Sequence, residues 1–151
     1  MNIDKKDRLI LEALQTDARQ SLAALGKRIG LSQPAISERF RKLESAGVIE
    51  GYGARGNLRA LGVGLEAIVH IATTHAGIAR YLALFDTMPE VLSADRVTGA
   101  NCFIVRCAMA EPADLERVVD ALAVEGAVTT SLVLSSPVRK HVTVRVARAP
   151  K

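Results

Sequence analysis

The sequence predicts a two-domain α+β protein, in which a small helical domain precedes a domain that alternates strands and helices. Residues 4–45 contain three segments whose apolar residues recur at the spacing of an α-helix. Residues 51–64 are rich in glycine, and from Leu65 onwards segments with two-residue alternation are interleaved with further helical segments. We therefore expect a helical domain at 1–50, a linker or wing at 51–64, and a second domain at 65–151.

Two short helices joined by a tight turn are predicted between Leu22 and Val48. Gly30 can end the first helix, because a residue without Cβ readily adopts the left-handed conformation of helix ends. Ser32 can cap the second helix, and Pro34 lies in its first turn, where a missing backbone N–H costs little. A helix pair with a glycine in the turn is typical of a helix-turn-helix, although an ordinary αα-hairpin shares this layout.

The second helix of this pair has an apolar and a polar side. Ile36, Phe40 and Leu43 project within about 60° of one another and are expected to be buried. The opposite side carries Pro34, Glu38, Arg41 and Lys42, with Ser37 at its edge, and so displays mainly polar and charged side chains. Such a surface favours DNA reading in the major groove, whereas the simpler interpretation is the solvated face of a helical hairpin.

A further helix that begins after Asp4 would complete a three-helix core, and Asp7 lies where it can form a capping box with Asp4. The predicted core consists of apolar residues from this region: Ile3, Ile10, Leu14, Leu22, Leu25, Ile29, Ile36, Phe40 and Leu43. After Gly47 a short β-ribbon would make this a winged variant, with Arg55 and Arg59 near phosphates. The glycines there could instead form a hinge.

The second domain is predicted to be ferredoxin-like, with the order strand, helix, strand, strand, helix, strand and one more strand at the end. The predicted strands are 65–74, 91–98, 101–109, 128–135 and 142–146, and the helices begin near Ile78 and Pro112. In this βαββαβ arrangement two helices cover one face of an antiparallel sheet. The other face would carry residues such as Ile104 or Val133, and pairing two such faces predicts a homodimer.

The positive charge of the chain is concentrated in its first part. Residues 1–64 contain 11 Lys and Arg against 7 Asp and Glu, whereas residues 65–151 contain 9 of each. This asymmetry favours a polyanionic partner for the first part alone. No stretch of 18 uncharged apolar residues and no signal-peptide pattern is present, so we expect a cytoplasmic protein without a membrane partner.

The sequence does not favour an enzyme or a metal protein. It has no Ser/His/Asp or Cys/His constellation, and His70, His75 and His141 are scattered. Cys102 and Cys107 are five residues apart in a predicted strand, so their side chains face opposite sides and do not readily share a metal or a disulfide. We therefore expect no catalytic residue, metal site or cofactor. The alternatives are a metal-sensing regulator and a ligand-binding module that has lost DNA binding.

Two separated signatures extend over nearly the whole chain. The second consists of VTG at 97–99 and TSLVL at 130–134. The first, in the predicted helical domain, consists of Ile3, Asp4, Asp7, Ile10, Leu11, Leu14, Asp17, Arg19, Leu25, Gly30, Leu31, Ser32, Arg39, Leu43, Gly47, Val48, Ile49 and Tyr52. Together they resemble the Lrp/AsnC, or feast/famine, family of transcriptional regulators, and two signatures in the right order are more specific than either alone.

The resemblance implies a winged helix-turn-helix domain that binds double-stranded DNA and a ferredoxin-like domain that forms dimers and often octamers. We expect the helix that begins at Gln33 to enter the major groove, with Gln33 reading adenine, Arg41 guanine and Glu38 cytosine, while Ser37 is adaptable. The remaining residues of the predicted DNA-binding set, most of them expected near phosphates, are Lys27, Arg28, Ser32, Pro34, Arg39 and Lys42. Glu38 and Arg41 could instead pair with each other.

The same resemblance implies an amino-acid effector site in the second domain, at the loop after VTG. The candidate residues are Gly99, Ala100, Asn101 and Cys102, together with Thr130, which matches a family threonine close to the pocket. The family commonly has acidic residues where Ala100 and Cys102 stand, and carboxylates suit a ligand ammonium group. We therefore expect a small effector with altered or lost amino-acid specificity, although this loop could be a hairpin turn only.

Overall fold

The computed structural model describes residues 3–138 and 140, and these residues form two compact units. The first unit contains residues 3–54 and the second contains residues 55–137. The strand predicted at 142–146 and His141 lie outside the described residues. The domain limits 1–50, 51–64 and 65–151 stay a prediction from the sequence.

Three helices form the first unit, and a capping side chain precedes each of them. They are α1 (Lys5–Thr16), α2 (Leu22–Ile29) and α3 (Gln33–Ser45). Asp4, Ser21 and Ser32 are the N-caps, and their side chains accept hydrogen bonds from backbone N–H groups of the following turn. Gly30, with a φ of 72°, ends α2 in the left-handed conformation that favours glycine.

The three helices enclose one apolar core with the predicted members, except that Ile3 is half-buried and does not belong to it. Its buried members are Ile10, Ala13, Leu25, Ile29, Ile36 and Leu43. Leu14, Leu22 and Phe40 are partly buried against this core. Val48 and Ile49 also pack on it, so the chain stays attached to the core after α3 ends.

The β-ribbon predicted after α3 is absent from the described residues, where 46–64 contain turns and no strand. A ribbon requires backbone groups that bond to a neighbouring strand. Here the N–H groups of Leu61, Gly62 and Val63 donate to carbonyls of residues 57–59 and form a local turn instead. In the described chain this passage is therefore a connection and not a wing.

The second unit has the predicted ferredoxin-like order. Its elements are β1 (Leu65–Ala72), a 3-10 turn (His75–Gly77), α4 (Ile78–Thr87), β2 (Val91–Arg96), β3 (Phe103–Met109), α5 (Pro112–Ala123) and β4 (Ala127–Leu132). The strands pair antiparallel in the order β2-β3-β1-β4. No helix of the described chain is both long and apolar enough to cross a membrane.

Alternation along β1 and β3 gives the sheet a buried and an open face. The buried side chains of these strands are Ala67, Val69, Ile71, Phe103, Val105, Cys107 and Met109, and they belong to one core with residues of α4 and α5. The open face carries Ile68 opposite Arg106 and His70 opposite Ile104. Glu66 and Arg106 form an ion pair of 2.8 Å on this face, which is therefore mixed rather than wholly apolar.

Replacing Gly126 by alanine is expected to destabilise the protein. A Cβ at this position would lie 2.3 Å from the backbone oxygen of Ala72, so the backbone at the end of β1 has to move. Such crowding costs about 1–3 kcal/mol. Thermal unfolding of Gly126→Ala measures the effect, and Gly53→Ala is the matched control because its added Cβ meets nothing within 4 Å. Equal stability of the two variants would contradict this packing.

Candidate nucleic-acid interface

The turn between α2 and α3 is closed by backbone hydrogen bonds and a side-chain cap. The Leu31 N–H donates to the Gly26 carbonyl at 2.9 Å, and the Leu31 side chain packs against the core. Ser32 Oγ accepts from the Ala35 N–H at 3.4 Å. A Cβ on Gly26 would lie 2.9 Å from the Leu31 oxygen, so the glycine permits close packing of the turn on α2. These contacts fix the direction in which α3 starts.

The side of α3 opposite its buried residues is open to solvent. Ile36 and Leu43 are 0% exposed and hold the helix on the core. The exposed members of the predicted DNA-binding set are Lys27, Arg28, Ser32, Gln33, Pro34, Glu38, Arg41 and Lys42. Ser37 and Arg39 are half-buried. The first unit therefore presents polar and basic side chains from α2 and α3 at its surface, where they can meet a polyanion.

Glu38 pairs with Lys42 rather than with Arg41. The Glu38 carboxylate lies 2.7 Å from Lys42 Nζ, one helical turn further along α3. The hydrogen bond and the charge of Lys42 lower the pKa of Glu38 below its ordinary value. The sequence allowed a pair with either cation, because positions three and four residues ahead both face Glu38. Arg41 is thus exposed and outside the ion pairs of the described residues of α3.

Arg39, which is expected from the sequence to lie near a phosphate, forms ion pairs within the first unit. Its guanidinium Nη1 lies 2.6 Å from Asp4 Oδ2 and 2.7 Å from Asp7 Oδ1. Both carboxylates stand at the start of α1, so Arg39 connects α3 to that helix. A prediction from sequence spacing missed this contact because the partners are 35 and 32 residues away.

Tyr52 is a second residue whose contact with α3 the sequence did not reveal. Its ring stacks on Phe40, with centroids 6.4 Å apart and an interplanar angle of 7°. Its hydroxyl donates to Glu44 Oε1 at 2.9 Å. Burial, followed by the hydrogen bond to Glu44, raises the pKa of Tyr52 to about 12. The signal available in the sequence was an aromatic residue within a glycine-rich passage. Such a residue indicates that the passage packs against the preceding helix.

The candidate effector loop forms the turn between β2 and β3. Gly99 has a φ of 110°, which an L side chain rarely adopts, and Ala100 is exposed. Cys102 is held in place because its N–H donates to the Ile71 carbonyl at 2.7 Å. Its thiol donates to the Thr73 carbonyl at 3.0 Å. The side chain at 102 is therefore directed to the backbone that follows β1.

Thr130 does not lie in this turn. It pairs with Val69 across β1 and β4, whereas the turn is joined to the opposite side of β1 through the pair Ile71 and Phe103. The structure thus gathers Gly99 and Cys102 with their neighbours and separates Thr130 from them by one strand. A small ligand would have to span this strand, or a second copy would have to complete the site.

The cysteines have the separate environments that the spacing predicts. Both thiols are free, and burial raises the pKa of Cys107 to about 11, which keeps that thiol protonated at neutral pH. Among the described residues no group of three His, Cys, Asp or Glu could hold a metal ion.

Two family models match the sequence, one for each unit. An AsnC-type helix-turn-helix domain matches residues 3–44, and an Lrp/AsnC ligand binding domain matches residues 66–143. Together they extend over most of the chain.

Similar proteins and structures support the same assignment. The HTH-type transcriptional regulator LrpC of Bacillus subtilis (strain 168) is 34% identical over 106 residues, which cover 70% of this chain and 74% of LrpC. The solved structure of LrpC superposes with a TM-score of 0.88 at 28% identity, covering 93% of this chain and 100% of that one. A transcriptional regulator from Neisseria meningitidis, solved as a complex with L-Met, gives a TM-score of 0.82 at 29% identity, covering 93% and 94%.

Stability in alkali is expected to depend on Tyr52. Because its pKa is raised from the usual 10.0 to about 12, the folded protein keeps a proton that the unfolded chain releases. The resulting stabilisation is complete below pH 10 and is lost as the pH rises through about 12. Thermal unfolding at stepped pH should therefore show a weaker dependence between pH 10 and 12 for Tyr52→Phe than for wild type. Parallel curves for the two proteins would contradict the contact with Glu44.

Proposed function

Because this chain belongs to the Lrp/AsnC family of DNA-binding transcriptional regulators, we propose that it acts by inserting α3 into the major groove of a pseudo-palindromic operator. The observation that carries the proposal is the exposed polar side of α3, where Gln33, Glu38 and Arg41 stand on a helix held from behind by the core. A helix presented in this way fits the groove with its N-terminal turns nearest the bases.

Three side chains of α3 are proposed to read bases. Gln33 pairs with adenine and Arg41 with guanine, since each side chain can form two hydrogen bonds to the edge of that base. Glu38 accepts from the N4 amino group of cytosine when Lys42 turns from it towards the backbone. The pair with Lys42 is exposed on both sides, so it costs little to break. Ser37 can donate or accept, and each good base contact contributes about 1–3 kcal/mol of discrimination.

The remaining cations are proposed to contact phosphates. Lys27 and Arg28 lie in the last turn of α2, where that helix would cross the DNA backbone. Lys42 would do the same from α3, and Ser32 and Pro34 would lie close to the backbone at the start of the helix. These contacts supply affinity for any sequence and place α3 in register.

Two copies are proposed to bind together as a dimer, reading half-sites about one helical turn apart. The open face of the second unit, with Ile68 and Ile104, supports a back-to-back dimer of sheets. Assembly of dimers into an octamer is part of the proposal through the family resemblance alone.

A small-molecule effector is proposed for the turn that contains Asn101 and Cys102. The match to a ligand binding domain supports an effector of some kind. Asn101 can donate to a carboxylate, but neither Ala100 nor Cys102 supplies a negative charge for an ammonium group. The thiol of Cys102 is a neutral donor that bonds to Thr73. We therefore propose an effector other than the common zwitterionic amino acids.

Selection of bound sequences from random DNA tests the proposed function. Purified protein should enrich one motif with two related half-sites, and repeating the selection with a metabolite pool should change the yield if an effector acts. Failure to enrich any motif at low salt would refute sequence-specific binding.

Substitutions of Arg41 and Lys42 should have different consequences. Arg41→Ala is expected to lose discrimination at one position of the selected operator, because a base contact is removed. Lys42→Ala should weaken binding to all sequences alike and reduce the slope of log affinity against log salt by about one unit. Electrophoretic mobility shifts over a salt series measure both effects.

Arg96→Ala is the control for this pair, since it removes an equal charge from an exposed site on β2 in the second unit. It should leave operator binding unchanged. Unaltered discrimination by Arg41→Ala would show that the proposed docking register is wrong.

Calorimetry with the twenty common amino acids tests the effector proposal. We expect no binding in the nanomolar to micromolar range, because the turn lacks the acidic partners that an ammonium group requires. Micromolar binding of a common amino acid such as leucine would refute the altered specificity. Asn101→Ala is the companion variant and should abolish binding of any ligand that is found.

A further inference from the structure

We propose that Arg39, Asp4 and Asp7 form a positioning cluster that sets the orientation of α3 against the start of α1, and that recognition of the preferred DNA sequence depends on it. This inference rests on the proposed function. It assigns Arg39 to the protein interior side of α3 and not to the DNA, and it gives the two acidic residues a part in recognition although neither would touch DNA.

The cluster contains the one buried charged residue among the described residues. Asp7 is 4% exposed, and its carboxylate faces the guanidinium of Arg39 at 2.7 Å. A buried carboxylate without a partner is strongly unfavourable, so the structure depends on this cation. The side chain of Arg39 is itself only 30% exposed, which limits screening of the pair by solvent.

Each carboxylate divides its two oxygens between α1 and α3. Asp4 Oδ1 accepts from the N–H groups of Lys6 and Asp7, at 2.7 and 2.9 Å, and Asp4 Oδ2 accepts from Arg39. Asp7 Oδ2 accepts from the Asp4 N–H at 3.0 Å, and Asp7 Oδ1 accepts from Arg39. One oxygen of each carboxylate therefore caps α1, and the second oxygen of each accepts from Nη1 of Arg39 on α3. The first turn of α1 and the guanidinium form one hydrogen-bonded unit.

The same turn of α1 also holds α2. Lys6 Nζ donates to the carbonyl of Ile29, the last residue of α2, where a cation suits the free carbonyls of a helix end. One turn of α1 thus contacts both helices of the helix-turn-helix through polar groups. Since α2 is proposed to contact phosphates and α3 bases, this turn couples the two kinds of contact.

The place of Arg39 on α3 explains why its loss would matter for reading. At 100° per residue it lies about 160° around the helix from Arg41, almost on the opposite side. Release of Arg39 would allow α3 to roll about its axis and move the reading residues sideways. The two carboxylates raise the pKa of Arg39. The hydrogen bond from the Asp7 backbone, followed by that from Arg39, lowers the pKa of Asp4.

A positioning role and a phosphate contact give opposite results when an acidic residue is neutralised. If Arg39 contacted a phosphate, Asp7→Asn would free the guanidinium and remove a negative charge, and DNA binding would become stronger. If Arg39 positions α3, the same change weakens binding to the preferred sequence. Arg39→Gln also separates the two roles, because loss of a phosphate contact reduces the salt slope by about one unit and loss of positioning does not.

The experiment uses the full chain and compares the selected operator with unrelated duplex DNA of equal length. The variants are Asp4→Asn, Asp7→Asn, Arg39→Gln and the double variant Asp7→Asn with Arg39→Gln. Asp4→Asn preserves folding, because asparagine caps a helix as well as aspartate does while it removes the charge that faces Arg39. Circular dichroism sets a temperature at which every variant compared is folded. Glu12→Gln, an exposed neutralisation on α1, is the matched control.

We expect Asp7→Asn and Arg39→Gln each to lower operator affinity by about tenfold, the size of one lost base contact, with affinity for unrelated DNA and the salt slope unchanged. Asp4→Asn should cause a smaller loss in the same direction. The double variant should be no worse than Arg39→Gln, because both changes break one contact.

Three results would overturn the proposal. They are stronger operator binding by Asp7→Asn or Asp4→Asn than by Glu12→Gln, a reduced salt slope for Arg39→Gln, and an unchanged ratio of operator to unrelated affinity in all folded variants. Failure of the proposed function is seen separately, since wild-type protein would then select no sequence before any variant is compared.

Discussion

Helix α3 can bury only one of its sides, and the organisation of the first unit follows from this constraint. Ile36 and Leu43 occupy the core formed with α1 and α2, so the residues half a turn away are necessarily at the surface. The core does not hold the helix alone. Leu31 closes the turn before it and Tyr52 packs on Phe40 after it. Helix α3 is thus supported at its start, along its buried side and near its end.

The charged residues of the first unit have two different tasks. Asp4, Asp7, Lys6 and Arg39 form hydrogen bonds and ion pairs that connect helices within the unit. The exposed cations of α2, with Arg41 and Lys42 of α3, are those proposed to meet a polyanion. The count of charges over residues 1–64 does not distinguish these two groups.

The second unit uses its charges differently. Arg80 pairs with Glu125, Arg106 with Glu66 and Arg117 with Glu90. These pairs, with the equal numbers of acidic and basic residues over 65–151, are consistent with a role other than DNA contact. In the turn after β2, the Cys102 thiol donates to the Thr73 carbonyl and offers no charge to a ligand.

The sequence by itself determined the elements of both units and the sides they bury. Helix caps at Asp4, Ser21 and Ser32, the glycine end of α2, and the alternation in β3 all follow from residues within a few positions of one another. Local geometry and the burial of apolar surface suffice for such features. The helix-turn-helix and the ferredoxin-like order were predictable for that reason.

The partners of the long polar side chains are determined only by the tertiary structure. Glu38 had two cations within reach and pairs with Lys42, while Arg39 bonds to acids more than 30 residues away. Residues 46–64 of the described chain contain no strand of the predicted ribbon, and residues 57–63 form a local turn. A long charged side chain can reach many partners, and sequence spacing alone cannot rank them. Packing of α1 against α3 makes that choice, since it brings the buried carboxylate of Asp7 to the guanidinium of Arg39.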